Sequence, residues 1–206
     1  MFVLIVDMKR YVLFFLLLSS CAAIPTVPDV NVNENFAHEE IQKIAVLMFE
    51  TSWDDSDKAM LNFSKTIAVQ DAGAVLANIM ALELAKWGRY VVLDRKDLIK
   101  KLKSKNIREE DILHESNYLN LGKTLGVDAI VAGEIERFGV SYEKLFGKFT
   151  SALHSNVSFF GRCLDVTTNE VIWSMKIDGT SNEVNERALA SALVEQAVNT
   201  LKKEIQ

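Results

Sequence analysis

Few residues in this chain could do covalent or coordination chemistry, and their spacing says more than their number. There are two cysteines, Cys21 and Cys163, too few for a cysteine-rich zinc site or a disulfide framework. His38, His114 and His154 lack any His-x-x-x-His spacing, so they read as surface or internally satisfied histidines rather than metal ligands. Asp54, Asp55 and Asp57 gather three carboxylates, but the glycine and terminal glutamate of a calcium-binding loop are missing at the required spacing. They read as a solvated loop. Gly122-Lys123-Thr124 has the last three residue types of a phosphate-binding loop. Position 117, however, is Asn where that loop needs glycine, and the stretch resembles the end of a helix. No Gly-x-Ser-x-Gly elbow or Ser/His/Asp order proposes a triad. The expectation is a protein that is not an enzyme and needs no cofactor or metal.

Cys21 stands apart because of what precedes it. Lys9 and Arg10 form a basic start, residues 12–18 are wholly apolar, and Leu18-Ser19-Ser20-Cys21 follows. Such an order is a secretory signal, and its apolar run falls well short of the ~20 residues that span a bilayer. The last four residues resemble a bacterial lipobox. In that type of signal the cysteine thiol receives a diacylglycerol, cleavage occurs before it, and the new amine is acylated. Several acyl chains, at about 0.8 kcal/mol per buried CH₂, anchor a protein stably. Cys21 is therefore the expected site of lipid attachment. Ala22 rather than Asp follows it, which by the enteric sorting rule implies the outer membrane. Met8, directly before Lys9, reads as a better start than Met1.

Composition agrees with a binding protein. The 206 residues are 49% hydrophobic and 25% charged, with a formal net charge of −5. That is a globular balance with no electrostatic case for nucleic acid. Residues 1–20 form the signal. Residues 21–40, with Pro25 and Pro28, read as a flexible tether. Residues 41–206 read as one domain.

Within 41–206 the apolar pattern supplies the elements that position everything else. Residues 43–49 form a short apolar run, consistent with a strand buried on both faces, and 50–70 read as loop. From Asp71 a helical period runs to Trp87, with Gly88 where a left-handed cap belongs. Residues 90–93 form a second strand and 96–103 a short basic helix. A helix over 111–125 is closed by Gly126. Strands follow at 129–138, 157–166 and 171–180, the last two joined as a hairpin through Thr167-Thr168-Asn169-Glu170. A long helix covers 183–205. The fold class is α/β: a single layered domain, its mixed and mostly parallel sheet flanked by helices, with a C-terminal antiparallel hairpin and a long final helix.

In that order the segments resemble the CsgG-type and TolB amino-terminal periplasmic domain, a group related to the LpoB activator lipoproteins. The resemblance rests on Lys43-Ile44-Ala45-Val46-Leu47-Met48-Phe49, on Tyr90-Val91-Val92-Leu93-Asp94-Arg95, on the stretch 121–135 and on the stretch 164–173. It implies a periplasmic scaffold or adaptor of a cell-envelope assembly, held at the outer membrane by its lipid and facing an envelope protein partner. It also leaves open a homo-oligomer, a CsgG-like secretion or pore component, and a regulator of peptidoglycan synthesis. Pore-forming members contribute two membrane hairpins, each strand needing ~9–11 residues. Here one candidate insert exists, 138–156, which alternates poorly and carries Glu143, Lys144 and Lys148. It reads as a loop able to hold partner contacts.

Four smaller expectations remain. Cys163, beside Phe159, Phe160 and Leu164, reads as a buried free thiol. Arg95 reads as paired with Asp94 or Glu134. Lys96, Lys100, Lys101, Lys103 and Lys105 read as a solvated helix face. Gly133 reads as a place where a helix approaches a strand.

Overall fold

Every residue of 43–49 after Lys43 is apolar, so a strand built from this run has no face to give to water. The computed structural model describes residues 28–51, 64–113, 118–145 and 148–205. In it β2 (Lys43–Val46) is an inner strand, and Ile44, Ala45, Val46 and Leu47 are all fully buried. On its two sides lie β5 (Val91–Val92) and β6 (Ala129–Leu145), both parallel to it. β7 (Lys148–Asp165) pairs antiparallel with β6, β8 (Val171–Ser181) with β7, and β1 (Asp29–Val32) with β8. The order across the sheet is β1-β8-β7-β6-β2-β5. β3 (Glu50–Thr51), parallel, and β4 (Ser64–Ala68), antiparallel, lie farther along β6.

Helices cover both faces. α1 (Ala72–Trp87) and α4 (Glu186–Glu204) pack on one face, against Ile44, Val46, Ala129 and Val131. α2 (Arg95–Ser104) and α3 (Tyr118–Leu125) pack on the other, against Ala45, Leu47, Ile130 and Ala132. Alternate residues of one strand thus enter two separate cores, as a side-chain period of two requires. Left-handed backbone at Gly88 (φ 77) and Gly126 (φ 68) ends α1 and α3 as the sequence predicts. Asn185 caps α4, its side chain accepting from the Ala188 N–H at 2.9 Å. In the predicted turn Asn169 takes φ 63, and the Asp165 carboxylate accepts from the N–H groups of Thr167 and Thr168 at 2.7 and 2.6 Å.

Four expectations change. Part of the expected tether 21–40 belongs to the sheet: Asp29–Val32 forms the outer strand on β8, with Val30 and Val32 packed on the core, while 21–27 lie outside the described residues. Two valines alternating with Asp and Asn are a strand signal too brief to outweigh nearby prolines. β1 and β4 both join antiparallel, so the sheet is mixed but leans less to parallel pairing. Within 50–70, Glu50–Thr51 and Ser64–Ala68 are strands; Asp54, Asp55 and Asp57 lie outside the described residues. Finally, 138–156 is not a loop. β6 and β7 continue through it, pairing as far as Leu145↔Lys148. Poor alternation does not preclude a strand, because the hairpin arms satisfy each other's backbone groups whatever their side chains.

Candidate functional site

α2 and α3 cover the second face of the sheet only over its β2–β6 half. Farther across, that face carries Glu134, Phe160 and Lys176, one from each of β6, β7 and β8, in direct cross-strand register. All three are exposed, and Phe160 is 38% exposed in mid-sheet. Its neighbour Phe159 points to the opposite core, 1% exposed, edge-on to Phe49 at 5.7 Å. On the open side, Arg137 pairs with Asp178, and Ser158 Oγ donates to Glu136 at 2.9 Å. The result is an aromatic ring set among side chains of both signs, on a rigid sheet. It is a surface able to make apolar and charged contacts at once. Phe160 lay in a predicted strand; only the two-faced packing shows which of Phe159 and Phe160 is exposed.

The residues singled out for chemistry are scattered. Cys21, the expected lipid site, lies outside the described residues, as does His114. His38 Nε2 lies 2.9 Å from the Asn33 carbonyl, and His154 Nδ1 contacts Asn182 Oδ1, so these two serve separate local contacts. Gly122, Lys123 and Thr124 sit within α3, where Thr124 Oγ1 donates to the Asn120 carbonyl at 2.9 Å. A side chain at position 122 would meet Val166 at 2.1 Å, so this glycine serves close packing.

Cys163 is buried and free. Burial first, and the nearby Asp165 charge second, push its thiol well above the ordinary range. It adjoins Tyr90, whose phenol is likewise raised, chiefly by burial. Tyr90 Oη and Trp173 Nε1 are buried without a hydrogen bond of ordinary geometry.

Arg95 pairs with neither Asp94 nor Glu134. Its guanidinium grips Glu109 at 2.5 and 3.0 Å and donates to the Val46 carbonyl at 2.8 Å, while Glu109 also accepts from the Met48 N–H at 2.6 Å. Asp94 instead caps α2, accepting from the Lys96 N–H. The basic helix face is partly committed as well: Lys101 Nζ donates to the Leu125 carbonyl at 2.7 Å, closing the end of α3. At Gly133 the close neighbour is not a helix. A Cβ there would lie 2.0 Å from the Phe160 carbonyl and 2.7 Å from the Phe49 ring, so the glycine admits strand β7 and an aromatic edge.

These features define a single α/β domain with an open mixed sheet. The family model described as "Putative lipoprotein GNA1162-like" matches residues 49–206, and the chain belongs to that family. It is therefore an envelope-associated lipoprotein in class, and the CsgG and TolB labels that its motifs resemble are not the ones the match carries. Among solved structures it is similar to a PelC dodecamer from Paraburkholderia phytofirmans, with TM-score 0.54 and 13% identity over 85% of this chain and 98% of that one. It is also similar to lipoprotein GNA1162 from Neisseria meningitidis, with TM-score 0.51 and 21% identity over 79% and 99%. The LpoB C-terminal domain from Salmonella enterica aligns at TM-score 0.39 and 13% identity over 68% and 83%, a likeness that carries no argument about role. At these identities the structures show the fold alone. Comparison with curated proteins gives no match. Among the described residues no helix is long and apolar enough to cross a membrane.

Proposed function

We propose that this chain is a periplasm-facing adaptor lipoprotein, anchored in the outer membrane through lipid on Cys21, that recruits a protein partner to a cell-envelope assembly. It works by recognition rather than covalent chemistry. The observation that carries this reading is the open half of the sheet, where Phe160 stands between Glu134 and Lys176 on strands locked by two cores. A rigid, mixed-charge surface with a central aromatic is the kind of patch on which interface energy concentrates.

The test is affinity purification of the lipidated protein from native membranes, followed by mass spectrometry. It is run beside a Phe160→Ala/Lys176→Glu variant of unchanged thermal stability. Loss of the same protein from the variant supports the adaptor; an unchanged partner set sinks this placement of the surface. A Cys21→Ser variant should lose fatty-acid labelling and leave the membrane fraction or remain unprocessed. Undiminished acylation would remove the anchor. A peptidoglycan synthase among the captured proteins would specify the regulatory form of the same reading.

A second reading, a secretion component or pore subunit, draws support from the length of the β6–β7 hairpin. Its strands run 17 and 18 residues, above the ~9–11 that cross an outer membrane. The PelC structure is a dodecamer, and self-association of this chain belongs with that reading. Detergent-resistant rings would favour it over the adaptor; a monomer that co-purifies with a partner would exclude it.

A further inference from the structure

We propose that β1 is a docking edge for a second copy of this chain: two β1 strands pair antiparallel across a two-fold axis and join the two sheets. A two-fold contact closes at two copies, so it builds no ring and goes beyond both readings above. It does not depend on the lipid anchor.

The hydrogen-bond pattern leaves this edge open. Asn33 N–H donates to the Ile172 carbonyl at 3.0 Å, directly opposite it as the β1–β8 register continues. Backbone groups alternate in direction along an antiparallel strand. Asp29 and Asn31 therefore also face β8, while the N–H and carbonyl groups of Val30 and Val32 point away from it. Among the described residues no strand lies beyond β1. Such an edge is a template for another strand. Pro28 lacks the next outward N–H, and the Asn33 carbonyl accepts from the Phe36 N–H at 3.1 Å as the chain turns, so the usable edge is 29–33.

That edge is complementary to itself. With Asn31 opposite Asn31 of the second copy, Val30 falls opposite Val32, and every outward N–H and carbonyl of the valines is paired. Shifting the pairing by one residue sets outward groups against inward ones. Shifting it by two brings Pro28 or the turn residue Glu34 opposite a valine. On one face valine meets valine, over the core that Val30 and Val32 already touch. On the other, the exposed Asn31 amides meet at the axis and Asp29 faces Asn33, so no acid opposes an acid. Asp29 is answered within its own copy by Lys176, its register neighbour. A strand of another protein is the competing occupant.

The axis stands perpendicular to the sheet, so the open faces of both copies lie on the same side. With ~4.8 Å between strands and ~3.4 Å per residue along them, the two Phe160 rings stand about 28 Å apart on one continuous sheet. A partner that meets both is held by effective concentration as well as by contact.

The full chain carrying Asn31→Cys is oxidised mildly in intact cells and separated without reductant. Opposed residues of a non-hydrogen-bonded pair have Cα atoms ~4.5 Å apart, within the ~4.4–6.8 Å that a disulfide bridges. Lys176→Cys, exposed on the next strand inward, controls for chance collision, and the unsubstituted chain controls for Cys21 and the buried Cys163. The expected result is at least tenfold more disulfide dimer at 31 than at 176. Adding Val30→Pro should lower it severalfold, because that change removes an outward N–H and leaves the bonds to β8 in place. Asn31→Lys, which sets like charges at the axis, should sediment as a monomer in mild detergent where the native chain sediments as a dimer. Equal cross-linking at 31 and 176 overturns the proposal. So does a cross-link that Val30→Pro leaves intact at unchanged melting temperature, or an Asn31→Lys chain that remains dimeric. A native chain that sediments as a monomer leaves the edge to another protein's strand, and one that sediments as a larger ring assigns self-association to the pore reading; either overturns the two-fold pair.

Discussion

Arg95 and Glu109 form a two-pronged ion pair between the first turn of α2 and the 3-10 turn Glu109–Ile112, their side chains only 11% and 10% exposed. The pair also satisfies backbone groups of Val46 and Met48 at the end of β2. It therefore ties the second-face helices to the central strand at the point where the chain leaves the sheet.

Removing one partner strands the other charge in a nearly dry site. Glu109→Ala is expected to cost about 3–5 kcal/mol in urea unfolding, the range for breaking a buried pair. The exposed pair Arg108–Asp111, one turn away, should contribute little when cut, because solvent screens it. Equal effects at the two sites would contradict this account.

Gly133 and Gly161 face each other across β6 and β7 under the Phe49 ring, yet they should respond differently to alanine. At 133 the new Cβ meets a backbone carbonyl at 2.0 Å, which cannot step aside, so a loss of about 3 kcal/mol or more is expected. At 161 the nearest atoms lie at 3.5 and 3.6 Å, ordinary contact, and Gly161→Ala should fold with a nearly unchanged melting temperature. The reverse order would place Phe49 elsewhere.

Leu47 and Ile130 are fully buried in the second core. Truncating either to alanine should cost about 2–5 kcal/mol, a large part of a domain's typical ~5–15 kcal/mol. Chemical denaturation of the two variants, with an unchanged urea slope, checks this. A cost below 1 kcal/mol would mean that α2 and α3 do not seal that face.

Cys163 sets a pH expectation. Its folded thiol is pushed up by burial, so the unfolded chain releases the proton first as pH rises. Stability on this account is intact below the ordinary thiol value of ~8.5 and falls progressively above it. Tyr90, also raised by burial, adds a loss above about 10. Melting temperatures from pH 7 to 10.5 should decline more steeply in the native chain than in Cys163→Ala. Parallel profiles, or alkylation of Cys163 in the folded protein at pH 8, would refute it.

The sequence alone determined whatever depends on near neighbours. The apolar run 43–49, the period from Asp71 to Trp87, the caps at Gly88 and Gly126 and the turn at Asn169 are each decided within a few residues, by backbone sterics or a local hydrophobic face. The order of charge, apolar run and small residues before Cys21 is local in the same way, and the lipid anchor proposed from it rests on that order alone. The tertiary structure alone decided what depends on distant partners. Arg95 takes Glu109 rather than the adjacent Asp94 because the loop after α2 brings that carboxylate under the end of β2. Asp29–Val32 becomes strand because β8, well over a hundred residues later, offers an open edge. Phe159 and Phe160 look alike in sequence, and one is core while the other is surface, because helices cover the sheet at Phe159's face and not at Phe160's. Long-range pairing and partial coverage leave no periodic trace in the chain, since the groups that satisfy each residue come from elsewhere in the fold.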